Sequence, residues 1–245
     1  YPRLQARPGA AVNWKGWALA VALGASAWGL PLDEVLKGHV HQGKVDYAAL
    51  RQHRQSELKA FVESLAEADP SRLDRPAAMA FWLNAYNGLV IYQVVQGASP
   101  SSVFSRGSFF RKTRHRVAGQ MRTLDDIEHE VLRPLARDPR IHFVLVCGAQ
   151  SCPPLRASAF LGTTDLEGAL EEAARSYIAD PKNVEIDAQR RRLRLNPIFK
   201  WYAEDFGDVL AFVARYRSPE ERQLLGQGSW KIDYFPYDWS LNQSR

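Results

Sequence analysis

Cys147 and Cys152 are the two cysteines of this 245-residue chain, and both fall in one short stretch, IHFVLVCGAQSCPPL, at residues 141–155. The thiolate is the nucleophilic form of cysteine, so a reactive cysteine needs an accessible, positively biased setting. Residues 141–146 are apolar and rich in β-branched and aromatic side chains, the pattern of a strand buried on both faces. Pro153 and Pro154 follow Cys152, and proline is tolerated in a first helical turn. This order predicts Cys152 at the mouth of the strand, at or just before a short helix whose free N–H groups favour a thiolate. Cys147, at the strand's end, is expected to be buried and inert. A disulfide is the competing reading, because five residues across a turn can bring two Cα atoms within about 7 Å. No metal is expected, since the chain lacks the second cysteine pair or paired histidines of a zinc site; no cofactor is expected either.

A cysteine nucleophile needs a base. His39, His41, His53 and His115 sit in polar or charged stretches and read as surface side chains. His129 follows Glu128 on the helix that feeds the central stretch, about 200° from that helix's predicted core face of Ile127, Val131 and Leu135, and beside Arg133 at i+4. His142 begins the central run and reads either as a second candidate or as a hydrogen-bonded core histidine. Asn84 and Asn87 share one side of a helix that is apolar nearly all round, with Tyr86 between them. A buried carboxamide must be hydrogen-bonded. It can orient a histidine or polarise a carbonyl, or it can tie the helix to loop backbone.

The elements that must carry these residues follow from periodicity and punctuation. Short helices are expected over residues 32–40 and 56–66. The longest apolar helix runs from Pro76 to Gly97 and is expected to be the buried central one. Residues 101–110 read as a loop, and a hairpin turns at Ala118-Gly119. Thr123 with Asp126 forms a capping box that opens a helix through Arg137. An amphipathic helix over 166–180, a hairpin around the arginine cluster 190–192, helices over 198–206, 208–216 and 219–225, and a closing strand over 230–235 complete the chain. The fold class is α+β: one helix-rich domain around a small, largely antiparallel sheet.

Composition, at 46% hydrophobic and 24% charged, is that of a globular protein. The net charge of +5 is dispersed and carries no nucleic-acid signature, so no nucleic-acid partner is expected. Near the N-terminus, Arg3, Arg7 and Lys15 precede an uncharged stretch, residues 16–30, with Ala25-Ser26-Ala27 as a small-x-small cleavage pattern. Residues 1–27 thus read as a secretory signal peptide and 28–245 as a single domain in a periplasmic or secreted setting. The apolar part is too short for a comfortable membrane span, so none is expected in the mature chain.

Together these motifs resemble the uncharacterised family catalogued as domain of unknown function 547. The matching pieces are residues 81–87 (FWLNAYN), Ile127-Glu128-His129 with Arg133, Ile141-His142-Phe143 leading to Cys147, and Ser151 to Leu155. Further pieces are Phe199-Lys200-Trp201-Tyr202 with Asp205-Phe206, and Tyr237 to Asn242. The resemblance spans about residues 32–242. It implies a bacterial protein, often exported, and no established reaction.

The leading expectation is a thiol hydrolase or acyl transferase acting on a small-molecule or peptide substrate. Cys152 would be its nucleophile, His129 its base, Asn84 or Asn87 an orienting amide, and Glu128 or Arg133 a group that sets the histidine's charge. The alternatives are a thiol–disulfide redox protein using Cys147 and Cys152, and an exported binding domain that presents the aromatic segment 230–239.

Overall fold

The computed structural model describes residues 26–244, so most of the expected signal peptide lies outside the described residues. Helix α1 (Ser26–Leu36) comes first and buries Leu32, Val35 and Leu36. It ends four residues before the expected boundary, and Val40 enters a two-stranded hairpin, β1 (Val40–His41) and β2 (Lys44–Val45). Helix α2 (Tyr47–His53), which the sequence reading missed, is capped by the Asp46 carboxylate accepting from the Ala49 amide. Helix α3 (Gln55–Ser64) follows.

The expected central helix is α4 (Arg75–Val95). It starts on the Asp74 side chain, which accepts from the Ala77 amide, and carries its proline in the first turn. Nearly every residue from Ala77 to Val95 is buried, which explains the missing polar face. Helices α1, α2 and α3 pack around it. Burial of Phe81, Leu83 and Leu89 stabilises the fold by about 1.5–3 kcal/mol each. Helix α3 approaches closely at Gly88, where a Cβ would fall 2.2 Å from Phe61 Cε1, so only glycine fits. Gly97 at φ +93° turns the chain out of the helix.

Residues 103–111 are helical rather than a loop. Helix α5 (Val103–Arg111) opens on a Ser102–Ser105 capping box. The hairpin β3 (His115–Val117) and β4 (Gln120–Arg122) turns at Ala118-Gly119 as expected. Thr123 and Asp126 form the expected reciprocal cap, at 2.8 and 3.0 Å. The helix beyond is π-helical over Asp126–Leu132 and only then α-helical, as α6 (Arg133–Ala136). The wider turn changes the buried face. Ile127, Glu128 and Leu132 point inward, and Val131 and Leu135 are only half-buried.

The expected strand at 141–146 does not form. Asp138 caps a 3-10 turn, Pro139–Phe143, and residues 144–147 then form no strand. The apolar composition of this stretch reflects burial alone. Asn87 replaces the missing strand neighbour: its Nδ2 donates to the Val144 carbonyl at 2.9 Å, and its Oδ1 accepts from the Val146 amide at 3.0 Å.

Helix α7 (Thr163–Ala179) leads to β5 (Val184–Asp187) and β6 (Arg192–Leu195). Short helices α8 (Ile198–Trp201), α9 (Ala203–Phe206), α10 (Val209–Arg215) and α11 (Pro219–Leu225) precede β7 (Lys231–Tyr234). The sheet order is β5-β6-β7, with β5 antiparallel and β7 parallel to β6. A second core of Phe143, Tyr177, Phe199, Phe206 and Phe212 joins this half. The architecture is the expected α+β one. Among the described residues no helix is long and apolar enough to cross a membrane.

Candidate functional site

The C-terminal segment folds back along the cysteine loop. The Gln150 amide donates to the Ser240 carbonyl, Ser151 to Asp238, and Asn242 to Gly148. Tyr47 fixes the same segment from below, its hydroxyl donating to Asn242 Oδ1 at 2.7 Å. This lacing brings Tyr237, 85 residues away in sequence, onto the cysteines.

Cys147 and Cys152 are joined as a disulfide, with Cα atoms 6.0 Å apart. Three expectations for them are corrected. The next helix after Cys152 begins at Thr163, so no helix N-terminus stands at its sulfur. Cys147 ends no strand, and it is half-buried rather than sealed in the core. The groups that do touch the sulfurs are different ones. The Cys147 amide donates to Cys152 Sγ at 2.8 Å, and the Tyr237 hydroxyl lies 3.3 Å from Cys152 Sγ and 3.2 Å from Cys147 Sγ. Burial raises the Tyr237 pKa, and Glu128 raises it further. The phenol therefore keeps its proton and stays a donor.

The disulfide borders a cleft of about 380 Å³ that is also lined by Tyr86, Glu128, His129 and His142. Trp201, Tyr237 and Trp239 form an aromatic wall, with ring centroids 4.6 to 5.8 Å apart. Arg106 and Arg111 reach the cleft from α5.

The two histidines differ sharply. His142 is 3% exposed and stacks on Tyr202 at 3.7 Å between ring centroids. Its Nε2 meets Asp205 Oδ2 at 2.7 Å, and its Nδ1 lies 3.9 Å from Glu128. Burial lowers the His142 pKa below the usual histidine value, with Asp205 and Glu128 opposing. His129 is more exposed. An Arg133 guanidinium nitrogen lies 3.0 Å from its Nδ1, and Asp125 lies 3.6 Å from its Nε2. Arg133 also grips Asp205 through two nitrogens at 2.7 and 2.8 Å. Those bonds hold the Asp205 carboxyl below the usual aspartate range, with the His142 hydrogen bond adding to them. The i+4 pairing of His129 with Arg133 was legible in the sequence. The carboxylate that joins Arg133 to His142 was not.

Residues 70–178 match the family model described as Protein of unknown function, DUF547. The match supports the resemblance read from the motifs. It takes in α4, the π-helical segment, both cysteines, His129 and His142. The DUF547 match ends before Tyr202, Asp205, Tyr237 and Trp239, so the aromatic wall of the cleft is built from outside it. No curated protein and no solved structure matches the chain.

Glu128 sits deep in the cleft, where its Oε2 accepts from the Tyr86 hydroxyl at 3.2 Å. Burial raises the pKa values of Tyr86 and Tyr202, and Glu128 adds to both shifts. Asn84 and Asn87 do not line the cleft. Asn84 Nδ2 donates to the Phe160 carbonyl at 2.8 Å, and its Oδ1 accepts from the Phe160 amide at 2.9 Å. With Asn87 on residues 144 and 146, both carboxamides are occupied by loop backbone. Asn87 holds the approach to Cys147 and Asn84 the backbone at Phe160, rather than a substrate. Among the described residues no group of three or more His, Cys, Asp or Glu is placed to hold a metal ion.

Proposed function

We propose that this chain is an exported thiol–disulfide exchange protein whose reacting group is the Cys147–Cys152 pair. One observation carries the reading. The two sulfurs are joined at the border of the aromatic-walled cleft, and the groups bonded to them are a tyrosine hydroxyl and a backbone amide rather than an imidazole.

The Tyr237 hydroxyl reaches both sulfurs, and Cys152 Sγ alone also receives the Cys147 amide, so it carries negative charge better and is the better leaving sulfur. An incoming dithiol, as thiolate, attacks Cys147 Sγ. The Cys147–Cys152 bond breaks, its electron pair leaves on Cys152, and a mixed disulfide forms at Cys147. The second thiolate of the dithiol then attacks its own sulfur in that mixed disulfide and releases Cys147. The dithiol is oxidised to a disulfide and the cysteine pair is reduced. Exchange with a partner disulfide runs the same steps backwards. An oxidising, periplasmic or secreted setting fits the N-terminal pattern and supports a persistent disulfide.

The expected hydrolase remains a second reading, favoured by the two imidazoles that share the cleft. It requires the pair to be reduced and a histidine to reach Cys152. Equilibration with dithiol–disulfide buffers, read by alkylation and mass, decides between exchange and a purely structural bridge. An exchange protein has a potential of about −270 to −120 mV. A potential below about −300 mV would mark the pair as structural.

A further inference from the structure

Arg106 differs from the other half-buried arginines that meet carboxylates. Arg133, Arg140 and Arg156 hold Asp205, Asp138 and Asp165. Arg106 is half-buried at the cleft and pairs with no carboxylate among the described residues. Its guanidinium carbon lies 4.3 Å from the centroid of the Trp239 ring, and Trp239 in turn stacks on Trp201 at 5.8 Å. A guanidinium laid on an aromatic face keeps its N–H donors in the plane at its edge, which suits a planar carboxylate. The cleft's own acids are engaged elsewhere: Asp125 faces His129, and Glu128 holds Tyr86.

We propose that Arg106 is the anion-binding residue of this cleft, and that the thiol or disulfide exchanged at Cys147 carries a carboxylate near its sulfur. The inference rests on the exchange reading. Trp201 and Trp239 supply a flat apolar surface for the carbon skeleton between the two groups. The substrate class is then a thiol acid or a cysteine-containing peptide with a free or side-chain carboxylate. A neutral thiol would leave the guanidinium unmatched.

The test measures how fast excess 3-mercaptopropionate and excess 2-mercaptoethanol open the Cys147–Cys152 bond in the oxidised protein, with acid quench and alkylation. The ratio of the two rates cancels any general effect of a substitution on the disulfide. In Arg106→Gln the anionic-to-neutral ratio is expected to fall about fivefold, the size of one partly exposed ion pair. Arg106→Lys should recover part of it, and added salt should shrink the wild-type ratio towards the variant's. The same ratio in wild type and Arg106→Gln, with both thiols reacting, would overturn the assignment of Arg106 and leave the exchange reading standing. A bond that neither thiol opens in the folded protein would overturn the exchange reading, and this inference with it.

Discussion

His142 and Asp205, 63 residues apart in sequence, meet at 2.7 Å between Nε2 and Oδ2. The contact joins the turn before the cysteines to helix α9, and so links the first core to the second. Arg133 closes the arrangement by holding the same carboxylate.

Both groups make stability depend on pH. Burial lowers the folded His142 pKa, so below about pH 6.5 the unfolded chain takes up a proton that the folded chain still refuses. That part of the stability is complete above about pH 6.5 and is lost as pH falls towards the depressed folded value. Asp205 is also depressed, by Arg133 first. Its contribution is complete above about pH 4 and is lost as pH falls through its lower folded value. Urea midpoints of the oxidised protein should therefore decline on acidification, first with His142 and then with Asp205. His142→Gln should flatten the first decline. Asp205→Asn should cost about 2 kcal/mol near neutral pH. A His142→Gln profile parallel to wild type between about pH 7 and 5 would refute the histidine's part.

Asn84 and Asn87 each exchange two hydrogen bonds with buried backbone. Alanine at either position strands those groups and should cost about 1–3 kcal/mol in denaturant unfolding. The two should differ in one respect. Asn87→Ala frees residues 144–146, just before Cys147, and should also speed alkylation of Cys147 after reduction. Asn84→Ala acts at Phe160 and should leave that rate near wild type.

What the sequence revealed depended on how local the cause was. The central helix, the Ala118-Gly119 turn, the Thr123–Asp126 cap and the Pro219 helix rest on neighbouring residues, and all were legible. The strand at 141–146 was misread because an apolar β-branched run suits any doubly buried segment, and its hydrogen-bond partner is a side chain, Asn87. Helix α5 was missed because its apolar face is short, although Ser102 and Ser105 signalled its cap. The inward turn of Glu128 depends on a π-helical register that a 3.6-residue period does not show. Asp205 and Tyr237 stand out in the sequence only through the family resemblance. Their roles come from partners 63 to 90 residues away, which no local pattern exposes.

Export predicts a processed N-terminus. Cleavage near Ala27 would remove residues 1–27 but keep Leu32, Val35 and Leu36, which are buried in the core. N-terminal sequencing of the protein from its native host should begin near Trp28. A mature chain that still carries residues 14–30 would exclude the signal-peptide reading.

Tyr237→Phe removes the hydroxyl that touches both sulfurs and leaves the ring in the aromatic wall. The donor stabilises the reduced pair most, because it meets a thiolate there. Its loss should make the Cys147–Cys152 potential more negative by about 20 mV, for a hydrogen bond worth about 1 kcal/mol. A potential unchanged by Tyr237→Phe would mean that the phenol only fills space.

Alkylation separates the two thiol chemistries. Without reductant neither cysteine should react, since both sulfurs are bonded. Cys147→Ser leaves Cys152 as a lone thiol beside the same hydroxyl, and iodoacetamide should label it at a pH below its free value of about 8.5. Adding Tyr237→Phe should move that labelling curve to higher pH, because a donor to the thiolate is gone. Adding His129→Ala should barely move it, because the His129 ring nitrogens face Arg133 and Asp125 rather than a sulfur. If His129→Ala shifts the curve and Tyr237→Phe does not, an imidazole reaches the sulfur after reduction. The cysteine–histidine hydrolase would then displace disulfide exchange as the better account of the cleft.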